Sequence, residues 1–381
     1  MNTTLTPLPL PEGVRAGYAD TAQGLHMHYL EAGFETGGAD KPLMLLLHGF
    51  PELAYSWRHQ LPVLAAAGYH VVAPDQRGYG RTTGGDDRFE GDWQASHMLQ
   101  LVDDAVALVH ALGHTQVACV IGHDFGSPVA AWCSLTRPDV FQAVVMMSAP
   151  FAGPPPSTDA LAVHQKITEV VHDLGSLQPP RQHYQWYYSG PHANADMWHA
   201  PQGLPAFLRA YYHVKSADWT SNQPHPLAGW TAQAWAELPD YYIMGANDNM
   251  AEAVAPFMPS NQAITACKWL PDTDLAVYAA EYQRTGFQGG LQWYRCGTDA
   301  GLFTQLGQQW GGKTIDVPSA FIAGASDWGV YQMPGAYEAM QTKACSKMRL
   351  CQLIPDAGHW VQQEQASEVN RLLLSFLNGL A

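Results

Sequence analysis

The apolar run Val117-Ala118-Cys119-Val120-Ile121 leads directly into Gly122-His123-Asp124-Phe125-Gly126, and a small-residue segment, Ser127-Pro128-Val129-Ala130-Ala131, follows at once. A strand that ends in a glycine-flanked turn and restarts as a helix is the elbow that lifts a nucleophile out of a sheet. Serine normally occupies the centre of that spacing; here it is Asp124. A serine would form an acyl-enzyme from an ester or amide. A carboxylate has little use there, because its own ester is what water must later cleave. It can instead open a strained ring or displace a halide at sp³ carbon, leaving an alkyl ester on the protein.

The chain around the elbow alternates strand-like and helix-like patterns, which predicts a mostly parallel sheet flanked by helices. Leu43–Leu47 reads as a buried strand ending at His48-Gly49-Phe50-Pro51, and a helix follows over about Trp57–Ala67. His70–Ala73 is the next strand, closed by the turn residues Pro74-Asp75-Gln76-Arg77-Gly78-Tyr79-Gly80. Leu99, Val102, Val106 and Val109 recur at helical spacing, and Ala143–Met147 is strand-like again. The alternation stops at Pro150-Phe151-Ala152-Gly153-Pro154-Pro155-Pro156, where three consecutive prolines end any regular element. It resumes at Val317–Ala323, continues in Met348–Ile354, and ends in a helix bearing Val369, Leu372, Leu373 and Phe376. The expected organisation is a sheet domain, residues 1–151 and 312–381, interrupted by an inserted, mainly helical lid over 152–311. That insert holds 18 of the 30 tryptophans and tyrosines, which suits an aromatic face, although packing within its own core accounts for most of them.

With 47% apolar and only 14% charged residues, a folded globular chain is expected, and 34 acids against 19 bases leave a net charge of −15. That balance disfavours nucleic acid or an anionic membrane surface as partner. No segment reaches eighteen uninterrupted apolar residues, and Met1–Val14 lacks the basic start and apolar stretch of a signal peptide. The six cysteines, at 119, 133, 267, 296, 345 and 351, show no metal-ligand spacing. Cytoplasmic location, no metal and no organic cofactor are therefore expected; a homodimer is left open.

Glycine-flanked aspartates are common in turns, so the partners decide what Asp124 is. Asp327 follows the strand Ala320–Ala323, and His359 follows the next one, in Pro355-Asp356-Ala357-Gly358-His359-Trp360. Nucleophile, acid, histidine is the chain order of the α/β-hydrolase fold. In that arrangement Asp124 attacks carbon, His359 takes a proton from water so that water can attack the ester, and Asp327 orients the imidazole. Asp356, three residues before His359 on the same turn, is a rival orienting acid and reads as structural. Hydrolysis of the ester passes through an oxyanion that needs fixed donors. The backbone N–H groups of Phe125 and Phe50 are the natural pair, since Pro51 has none. Neither His48 nor His123 is expected to take part directly.

These residues resemble the soluble epoxide hydrolases. The resemblance is carried by His48-Gly49-Phe50-Pro51-Glu52 with Tyr55-Ser56-Trp57-Arg58, by Asp75…Arg77-Gly78-Tyr79-Gly80, by the elbow, and by Gly358-His359-Trp360. Within the insert it rests on Thr285-Gly286-Phe287-Gln288-Gly289-Gly290-Leu291-Gln292-Trp293-Tyr294-Arg295 and on His183-Tyr184-Gln185-Trp186-Tyr187-Tyr188. It implies that two lid tyrosines, Tyr294 and Tyr184, donate hydrogen bonds to the epoxide oxygen; Tyr187 and Tyr188 are rivals for the second place. Pro51, Trp328 and Trp186 are expected to line the substrate pocket. An epoxide opens readily only if its oxygen is stabilised as charge develops, and a phenol can donate at neutral pH without ionising.

The nearest competitor is a haloalkane dehalogenase, which shares fold and nucleophile. There a tryptophan typically follows the aspartate and its indole N–H holds the halide; Phe125 has none to give. The Asp-Arg elbow of fluoroacetate dehalogenases is absent too. An esterase would need serine or cysteine at 124. A non-catalytic ligand-binding scaffold would be betrayed by a missing triad member, and none is missing. The expected reaction is hydrolysis of a bulky apolar or aryl epoxide to a vicinal diol. No role is legible for residues 240–275.

Overall fold

The computed structural model describes residues 5–35 and 41–380. Its centre is an eight-stranded sheet made of β1 (Val14–Asp20), β2 (His26–Ala32), β3 (Leu43–Leu47), β4 (His70–Pro74), β5 (Cys119–His123), β6 (Val144–Met147), β9 (Ser319–Gly324) and β10 (Met348–Ile354). The spatial order is β1-β2-β4-β3-β5-β6-β9-β10. Pairing is parallel from β4 through β10 and antiparallel at β1–β2 and β2–β4. This is the α/β-hydrolase fold with its mainly parallel sheet. β3, β4, β5 and β6 are buried along their whole length, as strands covered by helices on both faces must be. Leu43, Leu45 and Leu47 point into one apolar cluster, and Met44 and Leu46 into the other. The second cluster is closed by the helix Ala366–Asn378, which turns Val369, Leu372, Leu373, Phe376 and Leu377 inward at helical spacing.

The two N-terminal strands lack the apolar run that marks the others. β2 carries His28 and Glu31 into the interior, where each finds a partner: His28 Nδ1 stands 2.7 Å from Asp75 Oδ2, and His70 Nε2 stands 2.8 Å from Glu31 Oε2. A buried polar group survives when it is hydrogen-bonded, and that pairing hides a buried strand behind a polar sequence.

The chain leaves the sheet after β6 and re-enters at β9. Between them lie helices and a two-stranded antiparallel ribbon, β7 (Arg181–His183) with β8 (Ile243–Gly245). Among the insert's aromatic residues Tyr188, Tyr211, Tyr212, Trp235, Tyr241, Tyr242, Tyr278 and Trp293 are fully buried, and Tyr212, Tyr278 and Trp293 bond to Pro51, Ser56 and Arg77 of the sheet domain. Part of the 240–275 stretch thereby gains a role, because Tyr242, just before β8, packs against Tyr184 and its carbonyl accepts the Tyr184 backbone N–H at 2.9 Å. Arg58–Asp274 and Arg81–Glu281 ion pairs tie insert to core. At Gly289 the approach is backbone to backbone, since a Cβ there would stand 2.1 Å from the carbonyl oxygen of Gly78. That contact seats the helix Gln288–Thr298, and with it Tyr294, on the turn after β4. Among the described residues no helix is long and apolar enough to cross a membrane.

Candidate active site

Four residues reach one point from the carboxyl ends of four parallel strands, where ligands meet such sheets. Phe50 comes from the turn after β3, Asp124 from the elbow after β5, Asp327 from the loop after β9 and His359 from the loop after β10. The elbow is tight: a Cβ at Gly122 would lie 1.9 Å from the carbonyl oxygen of Gly126. Asp124 itself adopts φ +52°, a left-handed conformation that side chains other than glycine rarely take and that is kept where function requires it.

The Asp124 carboxylate is held at both oxygens. The Phe50 N–H donates to Oδ1 at 2.8 Å, and His359 Nε2 stands 3.1 Å from Oδ2. No corresponding bond runs from the Phe125 N–H, so one of the two expected backbone donors is engaged. On the other side of the imidazole, His359 Nδ1 lies 3.0 Å from Asp327 Oδ1, which also accepts the Gly329 N–H at 2.7 Å. Asp356, the rival acid, points into solvent and makes no contact with the ring. Burial works against charge on Asp124, yet the His359 hydrogen bond and charge, aided by Lys215 and His123, bring its pKa below the usual carboxylate range. For His359, burial and the Lys215 charge press downward, while Asp327 and Asp124 outweigh them and raise it.

Tyr184 and Tyr294 converge above this point. The Tyr294 ring packs edge-on against Phe50 and Phe125, with centroids 5.6 and 5.2 Å away, and stands 6.0 Å from the Tyr184 ring. Burial and then the Asp124 charge push both phenols well above their ordinary value, so both carry their protons at neutral pH. The Tyr184 hydroxyl donates to Gln332 Oε1 at 3.2 Å. Of its rivals, Tyr187 donates to Asp196 at 2.9 Å, and Tyr188, whose ring stands 5.0 Å from that of Tyr294, donates to the Tyr211 hydroxyl at 3.2 Å.

The expected pocket residues fare unequally. Pro51 is buried beside Phe50, its carbonyl accepting the Tyr212 hydroxyl at 2.9 Å. Trp328 opens the short helical turn capped by Asp327 and packs edge-on against His225 of the insert. Trp186 is a correction. It sits two residues from Tyr184 in a helix, hence on the opposite side, and borders an outer groove with Gln182, His192 and Asp248.

Sequence reasoning missed the residues that hold the histidine. His123 Nε2 lies 2.6 Å from the His359 carbonyl oxygen, and its Nδ1 lies 2.5 Å from Glu52 Oε2. Both are fully buried. His48 faces the backbone, with Nε2 accepting the Gln76 N–H at 3.1 Å. Glu364 accepts three backbone N–H bonds, from Ala217 at 2.8 Å and from Gly358 and Trp360 at 2.9 Å, and so pins both neighbours of His359. A glutamine has one acceptor oxygen for those three donors. Glu364→Gln is therefore expected to lose about 1–3 kcal/mol of stability, read by denaturant unfolding, and to slow turnover without changing which product forms. Among the described residues no group of three or more His, Cys, Asp or Glu side chains is placed to hold a metal ion.

Residues 42–168 match the α/β-hydrolase fold family. Over 343 residues the chain is 34% identical to epoxide hydrolase B of Mycobacterium tuberculosis, covering 89% of this chain and 92% of that one. It is 33% identical to epoxide hydrolase A of the same organism over 363 residues, covering 94% and 95%. Among solved structures, an epoxide hydrolase from an endophytic Streptomyces superposes with TM-score 0.76 at 33% identity, covering 97% of each chain. Potato (Solanum tuberosum) epoxide hydrolase I superposes with TM-score 0.72 at 28% identity, over 96% of this chain and 99% of that one.

Proposed function

Because this chain belongs to the epoxide hydrolases of the α/β-hydrolase fold, we propose that it adds water to an epoxide through an ester formed on Asp124, giving a vicinal diol. The observation that carries this reading is the Asp124 carboxylate, with Oδ1 held by the Phe50 N–H and Oδ2 beside His359 Nε2, beneath two protonated phenols. In the first step Asp124 Oδ2 attacks a ring carbon, the ring C–O bond breaks, and Tyr184 or Tyr294 gives its proton to the departing oxygen. The phenols act where charge develops, which is where a fixed donor contributes most. Tyr184 exchanges its bond to Gln332 for one to the epoxide.

In the second step His359 takes a proton from water, and the resulting hydroxide attacks the carbonyl carbon of the Asp124 ester. The oxyanion that forms is the former Oδ1, already facing the Phe50 N–H; the Phe125 N–H completes the pair. Collapse breaks the bond from the carbonyl carbon to the alkyl oxygen, and that oxygen takes the proton back from His359. The proton left on the Asp124 carboxyl equals the one the tyrosine gave up, so the site regains its starting charge. Asp327 holds the imidazole tautomer and offsets the charge it acquires.

The insert, residues 152–311, serves as the lid that places the two donors. Phe50, Phe125, Tyr188 and Phe287 around them favour a bulky apolar or aryl substituent on the substrate. The discriminating assay is incubation with styrene oxide and, separately, with a bromoalkane: diol is expected from the first, and halide release without diol would overturn the reading. Tyr184→Phe and Tyr294→Phe are each expected to slow ester formation by roughly 10²–10³-fold, read by single-turnover kinetics, with the hydrolysis step changed far less.

A further inference from the structure

The mechanism above leaves a buried cation, Lys215, unused. Lys215 ends the lid helix Leu204–Lys215 and is 3% exposed. Its ammonium has no ion-pair partner among the described residues. It is surrounded instead by the rings of Tyr242, Tyr211, Trp360 and Tyr241, at 4.9, 5.2, 5.5 and 5.8 Å from their centroids. Cation–π contacts offset part of the cost of burying an ammonium, but a buried charge without a counter-ion is still unfavourable. A methionine would fill the same aromatic cage without that cost, so the charge itself calls for an explanation.

The surroundings supply one. The Lys215 carbonyl accepts the His359 N–H at 2.9 Å, and the Trp360 ring that borders the ammonium also packs edge-on against the His359 ring, 4.7 Å away. His359 is faced by Asp124 from the elbow and Asp327 from the loop after β9. His123 approaches from β5, with Glu52 behind it, and Glu364 holds the flanking backbone. Two carboxylates against one imidazole favour the imidazolium, which cannot take a proton from water. Esterification removes the charge of Asp124 but leaves that of Asp327. We propose that Lys215 is a positioning residue for the hydrolytic half of the reaction: its caged ammonium opposes Asp327 and keeps His359 neutral while the Asp124 ester awaits water. After burial, its charge is the strongest influence holding the histidine down.

The inference rests on His359 being the base that cleaves an Asp124 ester, and the test separates the two ideas. Ester formation and ester hydrolysis are followed individually by rapid-mixing single turnovers with styrene oxide over roughly pH 5–9, a span that brackets an imidazole titration. Wild type is compared with Lys215→Met, Lys215→Gln and Lys215→Arg, each first checked by thermal melting. In the two neutral variants the acidic limb of the hydrolysis rate is expected to move to higher pH by about one unit, slowing hydrolysis roughly tenfold on that limb. Ester formation is expected to change little, and Lys215→Arg to follow wild type. An unmoved limb in the neutral variants, even with a rate lowered equally at every pH, would overturn the proposal. So would an arginine variant shifted as far as the methionine one, or loss of folding in both neutral variants while arginine folds, which would make the lysine structural. If no ester is detected in any protein, the proposed function itself fails first.

Discussion

Asp124→Ala is expected to give no covalent intermediate and a turnover reduced by at least about 10⁴-fold, the scale on which removal of a nucleophile acts. Phe50 and Tyr294 remain in place in that variant, so substrate still binds, and KM or a spectroscopic Kd is expected to stay within about tenfold of wild type. The alanine also removes the negative charge beside His359 and the two phenols. The His359 pKa is therefore expected to fall and both phenol pKa values to drop toward their ordinary value. Loss of turnover and of the covalent intermediate is read by steady-state diol formation and intact-protein mass. Undiminished turnover in a correctly folded Asp124→Ala protein would remove the aspartate from the chemistry.

His359→Gln separates the two halves of the reaction. Ester formation needs Asp124 and the tyrosines, all retained, whereas ester hydrolysis loses its base, at a cost of roughly 10²–10⁴-fold. The alkyl-enzyme is expected to accumulate to about one equivalent, seen as protein mass increased by that of the epoxide, with steady-state diol formation almost stopped. The sign of the pH dependence follows from the same role. His359 must be neutral to act, and with Asp124 esterified the Asp327 carboxylate still favours its protonated form, so hydrolysis in wild type slows as pH falls. The glutamine variant lacks that limb. Failure of the alkyl-enzyme to accumulate would assign the water-activating role elsewhere.

Much of this site was legible from residue order alone. The elbow announces itself because its turn leaves no room for a Cβ at Gly122 or Gly126, and Asp327 and His359 each stand just past a strand-like run. The missed features share a cause: their polar side chains look solvent-facing in sequence and are buried in the fold. β2 is hidden by His28 and Glu31, whose partners Asp75 and His70 lie some forty residues away. Lys215 reads as a cation at a helix C-terminus, where it would suit the helix dipole; only packing of the insert on the sheet domain surrounds it with three tyrosine rings and Trp360. Glu364 looks like one polar residue among glutamines until the backbone of residues 358–360 folds over it. Trp186 failed for a different reason. It lies two residues from Tyr184, and a helix turns side chains at that spacing to opposite sides.

The most direct test of the central claim is one turnover in ¹⁸O-water with enzyme in excess over epoxide, followed by mass analysis of the peptide bearing Asp124 and of the diol. An Asp124 ester cleaved at its carbonyl carbon places ¹⁸O in the aspartate and releases a diol that carries the aspartate's original ¹⁶O. A first-turnover diol bearing ¹⁸O, with an unlabelled Asp124, would mean that water attacks the epoxide directly and would contradict the account.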